Sequence, residues 1–154
     1  MNILIIGSTS GIGQSVTKKF SKGNHIILLG RSLNRLTEVK KKAIQSGALD
    51  VSLINFDLSL NAGSVLKKLN KHSIDLIINM ASATSSLRDE LIDTKKVELD
   101  ANVDLINPIL IVNDLLDKGN KFKLIFITSI LSRIKSIDRN IYSSLKVLQE
   151  TYFH

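Results

Sequence analysis

Apolar residues gather in five short runs, at 3–6, 25–29, 51–56, 74–78 and 123–127, each dominated by Ile, Leu and Val at successive positions. Runs that are apolar on both faces predict strands buried on both sides, as in a parallel sheet covered by helices. Between them polar residues return with helical spacing, at 12–22, 34–45, 62–70 and, longest, 94–118. Strand and helix alternate from the first residue, which predicts right-handed crossovers and a doubly wound α/β fold with helices on both faces of about five strands. The only proline, Pro108, falls inside the longest helix and is expected to bend it rather than end it. No linker or internal repeat breaks the pattern, so residues 1–154 read as a single domain, a size that can bury one sizeable core.

Directly after the first run comes Gly7-Ser8-Thr9-Ser10-Gly11-Ile12-Gly13, with the first helix following. Gly7 permits a tight turn out of the strand, Gly11 lets the backbone approach a phosphate, and Gly13 lets the helix pack closely on the sheet. Free backbone N–H groups at the helix start would then bind a pyrophosphate. Turns of any kind recruit glycine, and it is the strand-loop-helix setting that makes this one a candidate dinucleotide loop.

The spacing Gly-x-x-x-Gly-Ile-Gly resembles that of the short-chain dehydrogenase/reductase family, in its non-extended subclass, rather than the Gly-x-Gly-x-x-Gly of many other Rossmann enzymes. The resemblance implies a Rossmann-type sheet that binds a nicotinamide dinucleotide through Gly7, Ser8, Thr9, Ser10, Gly11, Ile12 and Gly13. Ile6 stands where the family usually has Thr, which removes a turn hydrogen bond and leaves the phosphate site intact.

The second run ends in Leu29-Gly30-Arg31-Ser32. NAD binders commonly place an acidic side chain here, and NADP binders often have an Arg nearby. The Arg31 guanidinium can pair bidentately with a 2′-phosphate and Ser32 can add a hydroxyl, so NADP(H) is favoured and NAD(H) is the alternative. An arginine at a strand exit that meets only solvent is the plainer reading of the same residue. By the resemblance, Asp57 and Leu58 sit beside the adenine amino group; Asp57 could instead cap a helix, although Ser59 is better placed for that. Asn79-Met80-Ala81-Ser82 stands where the family usually reads Asn-Asn-Ala-Gly, which sets Asn79 and Ala81 beside the adenosine.

Tyr142 and Lys146 are four residues apart, so on a helix they project from one face and their polar ends can meet. That spacing alone is common. Ser129, thirteen positions before Tyr142 at the end of the fifth run, and Asn102 in the long helix complete a set. Together they resemble the Asn, Ser, Tyr, Lys tetrad of the short-chain dehydrogenases in order, spacing and placement on elements.

The chemistry suits these residue types. Reducing a ketone with hydride needs a proton for the oxygen, and the reverse oxidation needs a base for the alcohol proton. A free phenol is too weak a base at neutral pH, and an adjacent ammonium favours the phenolate. The resemblance therefore implies Tyr142 as general acid/base and Lys146 as its activator and holder of the nicotinamide ribose. Ser129 would orient the substrate oxygen, and Asn102 would hold a water linking Lys146 to solvent. The activity implied is that of an NAD(P)-dependent oxidoreductase interconverting a carbonyl and a secondary alcohol.

Family members continue with a sixth and a seventh strand and a substrate-covering segment, whereas this sequence stops inside the helix that bears Tyr142. The chain is therefore expected to be incomplete at its C-terminus. The alternative function is a catalytically inactive shortened relative that only binds dinucleotide or forms oligomers. The fifth run should be an open sheet edge. The long helix carries apolar residues on more than one face, from Leu105 to Leu116, and the last helix repeats Ile141, Leu145, Leu148 and Tyr152 at helical spacing. Both features predict a homodimer or homotetramer built on these two helices, as the resemblance also implies.

Composition narrows the remaining classes. The chain has 21 Lys and Arg against 14 Asp and Glu, a net charge of +7, but its basic residues are scattered pairs and one triplet without interleaved aromatics. Nucleic acid is not expected as a partner. His25, His72 and His154 lack metal-ligand spacing, so no metal is expected. The absence of cysteine suits a reducing compartment, and no run approaches a membrane span, so a cytoplasmic protein is expected.

Overall fold

The strands are β1 (Asn2–Ile6), β2 (His25–Gly30), β3 (Asp50–Asn55), β4 (Leu76–Asn79) and β5 (Lys123–Phe126). All pair in parallel, in the order β3-β2-β1-β4-β5. This is a computed structural model describing residues 1–83, 93–134 and 140–153. The helices are α1 (Gly11–Ser21), α2 (Leu33–Gln45), α3 (Gly63–Leu69), α4 (Thr94–Ala101), α5 (Asn107–Asp117) and α6 (Asn140–Phe153). His154 lies outside the described residues.

Side chains of β1 alternate between two cores, which explains why its sequence is apolar throughout. Ile3 and Ile5 pack with Leu36, Val39 and Ala43 of α2, while Leu4 and Ile6 pack with Val65 of α3 and with Ile111 and Leu115 of α5. Each such buried aliphatic side chain contributes about 1.5–3 kcal/mol relative to exposure. β5 is the exception: among the described residues it pairs only with β4, its burial alternates, and Ile125 is 40% exposed. Its open edge agrees with the sequence expectation. Phe126 is nevertheless covered by Phe153 of α6, ring centroids 4.1 Å apart and nearly parallel.

The register sets Ile6 beside Leu29 and Asn79, and Asn79 beside Phe126, so the C-terminal ends of the central strands align. The loops that follow them emerge on one side, and the strand order reverses between β1 and β4. Crevices at such a reversal are where open α/β sheets bind ligands.

The long helix expected over 94–118 is divided rather than merely bent. Between α4 and α5 lies one π-helical turn, Asn102–Ile106, in which the Asn107 N–H reaches the Asn102 carbonyl five residues back. Pro108 follows at once. Its ring nitrogen has no hydrogen for the Asp104 carbonyl four residues earlier, the bond an α-helix would make there.

Candidate active site

A cleft of about 470 Å³ opens at the strand-order reversal. Gly7, Thr9 and Ser10 form its floor, with Gly30 and Arg31 from the β2 exit and Asp57, Leu58 and Ser59 from the β3 exit. Ala81 to Ala83 from the β4 exit and Leu99, Asp100 and Val103 from the long helix complete its lining. The walls thus come from four of the five strand exits.

The glycine loop has the shape the sequence implied. Gly7 takes φ +81°, and a Cβ there would lie 2.7 Å from the Ala81 nitrogen. At Gly13 a Cβ would overlap the Gly7 carbonyl oxygen and come within 2.8 Å of the Ser8 backbone, so only glycine lets α1 start so close to β1. Around Gly11 a Cβ would meet nothing within 4 Å, which leaves its backbone approachable. Ser10 caps α1, accepting from the Gly13 N–H at 3.0 Å, while the amides of Gly11 and Ile12 begin the helix without a preceding turn to bond. Ser8 is buried and donates to the Leu29 carbonyl at 3.4 Å, which ties the loop to β2. These residues fit a pyrophosphate.

At the β2 exit Arg31 lines the cleft and so does Arg35, one helical turn into α2. Ser32 is not in the lining; its hydroxyl oxygen caps α2 by accepting from the Arg35 N–H at 3.4 Å. Asp57 does not cap a helix, since its carboxylate accepts from the Ser59 N–H at 2.9 Å in a turn at the β3 exit. Ser59 does not cap α3 either, because that helix starts later, after Ala62. Asn79 is buried at the end of β4, where its Oδ1 accepts from the Ala81 N–H at 3.0 Å; its Nδ2 has no partner among the described residues.

Ser129 follows β5 and caps the short turn Ile130–Ser132, accepting from the Leu131 N–H at 3.2 Å. Its own O–H has no acceptor among the described residues. Glu150 of α6 accepts from Thr128 at 2.6 Å and from Ser132 at 2.6 Å, strapping the segment around Ser129 to the helix that carries Tyr142. Tyr142 is half-buried, and the Lys146 ammonium lies 5.4 Å from its ring centroid. The two side chains thus lie on one side of α6, with the ammonium over the ring.

Asn102, expected to hold a water linking Lys146 to solvent, donates its amide to the Ser59 carbonyl at 3.3 Å, bracing the cleft wall. Asp104 is the residue in direct contact with Lys146. Its carboxylate contacts Lys146 Nζ at 2.7 Å, with both side chains 1% exposed. Lys146 also donates to Gln149 Oε1 at 3.0 Å, and the Gln149 amide donates to the Asp104 carbonyl, the one that Pro108 cannot serve. Ser82 donates to Asp104 Oδ1 at 2.8 Å and the Ala83 N–H to Oδ2 at 2.8 Å. Removing one member of such a buried pair costs about 3–5 kcal/mol, because the other charge is left in a dry interior.

Sequence reasoning missed Arg35, Asp104 and Gln149. Arg35 stands four residues after Arg31 and Gln149 three after Lys146, spacings that were available to notice. For Asp104 the signal was its place four residues before the proline. His25 and His72, distant in sequence, both line a second cleft of about 220 Å³ with Asp50 and Lys71, around the opposite, N-terminal ends of β2 and β3.

The sequence pattern of the family described as short chain dehydrogenase matches residues 1–150. An uncharacterized oxidoreductase of Staphylococcus epidermidis is 31% identical over 105 residues, covering 66% of this chain and 44% of that protein. The chain thus spans under half the length of this curated relative. Among solved structures, a 3-oxoacyl (acyl-carrier-protein) reductase of Agrobacterium tumefaciens with NADP bound superposes with a TM-score of 0.88 at 20% identity, over 98% of this chain and 61% of that one. A short-chain dehydrogenase of Sphingobium yanoikuyae in complex with NADPH gives 0.82 at 20% identity, over 96% and 61%. Both likenesses concern the fold.

Proposed function

The chain belongs to the short-chain dehydrogenase family, whose pattern runs through residues 1–150, and from that membership we propose an NAD(P)-dependent oxidoreductase, NADP(H) favoured over NAD(H), that interconverts a carbonyl and a secondary alcohol. One observation carries the reading: Lys146 lies 5.4 Å from the Tyr142 ring on α6, and Glu150 of the same helix holds the Ser129 segment. In this reading Tyr142 gives a proton to the substrate oxygen during reduction and takes one during oxidation. The Lys146 ammonium stabilises the phenolate formed when that proton leaves. Ser129, whose O–H has no acceptor among the described residues, orients the substrate oxygen.

The cofactor, when bound, supplies or accepts hydride. Residues of the glycine loop would hold its pyrophosphate, Arg31 and Arg35 its 2′-phosphate, and Asp57, Leu58 and Ala81 its adenosine. Asn102 steadies the wall beside Ser59. The substrate is a small carbonyl compound or alcohol, and the cysteine-free sequence suits the cytoplasm. Among the described residues no helix is long and apolar enough to cross a membrane.

Replacing Tyr142 with Phe removes the proton donor and keeps the ring. Turnover should fall by about 10²–10⁴-fold, with NADPH affinity, followed by its fluorescence, within about threefold of the unmodified protein. Full activity in the variant would exclude the mechanism. A second reading, dinucleotide binding without turnover, is favoured by the engagement of Lys146, whose ammonium is held by Asp104 and Gln149. NADPH binding with no turnover on a broad panel of ketones and alcohols would establish it.

A further inference from the structure

The chemistry proposed above gives Asp104 no part, yet this residue joins three pieces of the site. Its carboxylate holds Lys146 at 2.7 Å, the Ser82 hydroxyl at 2.8 Å and the Ala83 N–H at 2.8 Å, and Ser82 and Ala83 line the cleft. Asp104 and Lys146 are both fully buried, so neither charge is solvated and each depends on the other. An ammonium has three N–H donors. Asp104 and Gln149 accept two of them, and two fixed acceptors leave the third N–H of Lys146 a single direction.

The family resemblance puts a water-linked asparagine beside this lysine, whereas here a carboxylate touches it. We propose that Asp104 is a positioning residue of this site: it fixes the Lys146 ammonium directly and locks it to the cleft wall at Ser82 and Ala83, so that cofactor binding and proton transfer use one pre-set lysine. The proposal rests on the oxidoreductase reading for its second half only.

Asp104 lies inside the π-turn between α4 and α5, and Gln149 of α6 closes the contact by donating to the Asp104 carbonyl.

The test compares the unmodified protein with D104N, which removes the charge, and D104E, which keeps it but displaces it by one methylene. Three quantities are read below the melting temperature of each variant: the ¹⁵N-detected exchange of the Lys146 ammonium, NADPH affinity by fluorescence, and kcat and KM on a ketone panel. The unmodified protein should give one slowly exchanging lysine ammonium, lost in D104N. NADPH affinity should fall by about tenfold in D104N. In D104E, kcat per NADPH-binding site, with sites counted by fluorescence titration, should fall while KM for the ketone holds; counting the sites removes any loss of folded protein, which by itself lowers apparent kcat at constant KM.

A folded variant that binds NADPH within about twofold of the unmodified protein and turns over normally would overturn the proposal. So would a Lys146 ammonium that exchanges in the unmodified protein as fast as its surface lysines, a result that needs no variant. If the unmodified protein binds NADPH, D104N weakens that binding, and neither turns over any ketone, the oxidoreductase reading falls and the positioning role in binding stands. An unmodified protein that binds no NADPH overturns both.

Discussion

Arg31 and Arg35 differ in how they could have been known. Arg31 is legible because it ends an apolar run, the point where a Rossmann strand meets the adenosine ribose. Arg35 is in α2, and only the turn of that helix over the β2 exit brings its guanidinium to the same cleft. Two guanidiniums on one cleft wall favour a ligand carrying a further phosphate, since each charge-assisted hydrogen bond contributes about 1.5–3 kcal/mol. Arg31→Ala and Arg35→Ala should each weaken NADPH by about tenfold and NADH by under about threefold. Fluorescence titration with both cofactors checks this, and an equal loss for NADH would remove the argument for NADP(H). Neither side chain is needed for the core, so the melting temperature should hardly move.

At the scale of elements, the strands and their alternation with helices along the chain were legible because the central strands β1, β2 and β4 are apolar on successive positions, as a sheet covered on both sides asks. Element bounds came within about two residues for the same reason. The division of the long helix was not legible. An α-helix turns about 100° per residue, so one extra residue in a π-turn swings every later side chain to a new face. Asn102 was legible by residue type and order, whereas the direct contact to Lys146 is made by Asp104, inside the π-turn. Pro108 marked the region without fixing the direction. Gln149 mends the disruption, donating to the Asp104 carbonyl and accepting from Lys146. Gln149→Leu would leave both groups short of a partner in a dry interior, with an expected loss of about 2–4 kcal/mol in urea unfolding. An unchanged midpoint would show that α6 docks mainly through its apolar contacts, such as Phe153 on Phe126.

For the whole molecule, the question is what covers the side of the sheet beyond β4. Ile125 on the edge strand, Leu110 and Leu116 on α5, and Val147, Leu148 and Tyr152 on α6 are all at least 40% exposed. Helices with apolar residues on a second face bury them against another surface when one is at hand. We propose that a second copy of the chain serves, giving a homodimer or homotetramer through α5 and α6. Charge opposes this, because each chain carries +7. Repulsion of that kind is screened over about 10 Å at 0.1 M salt, while apolar burial is not, so association should tighten as salt rises. Light scattering at tens of micromolar should therefore give a multiple of 17.0 kDa, larger at about 0.5 M salt than at about 0.05 M. Leu148→Glu places a charge on a residue 49% exposed in the single chain. That change should cost the isolated fold under about 0.5 kcal/mol, leave the circular dichroism unchanged and return the mass to 17.0 kDa. A monomeric unmodified protein at both salt concentrations, or a variant that assembles equally well, would mean that these apolar faces meet something other than a copy of themselves.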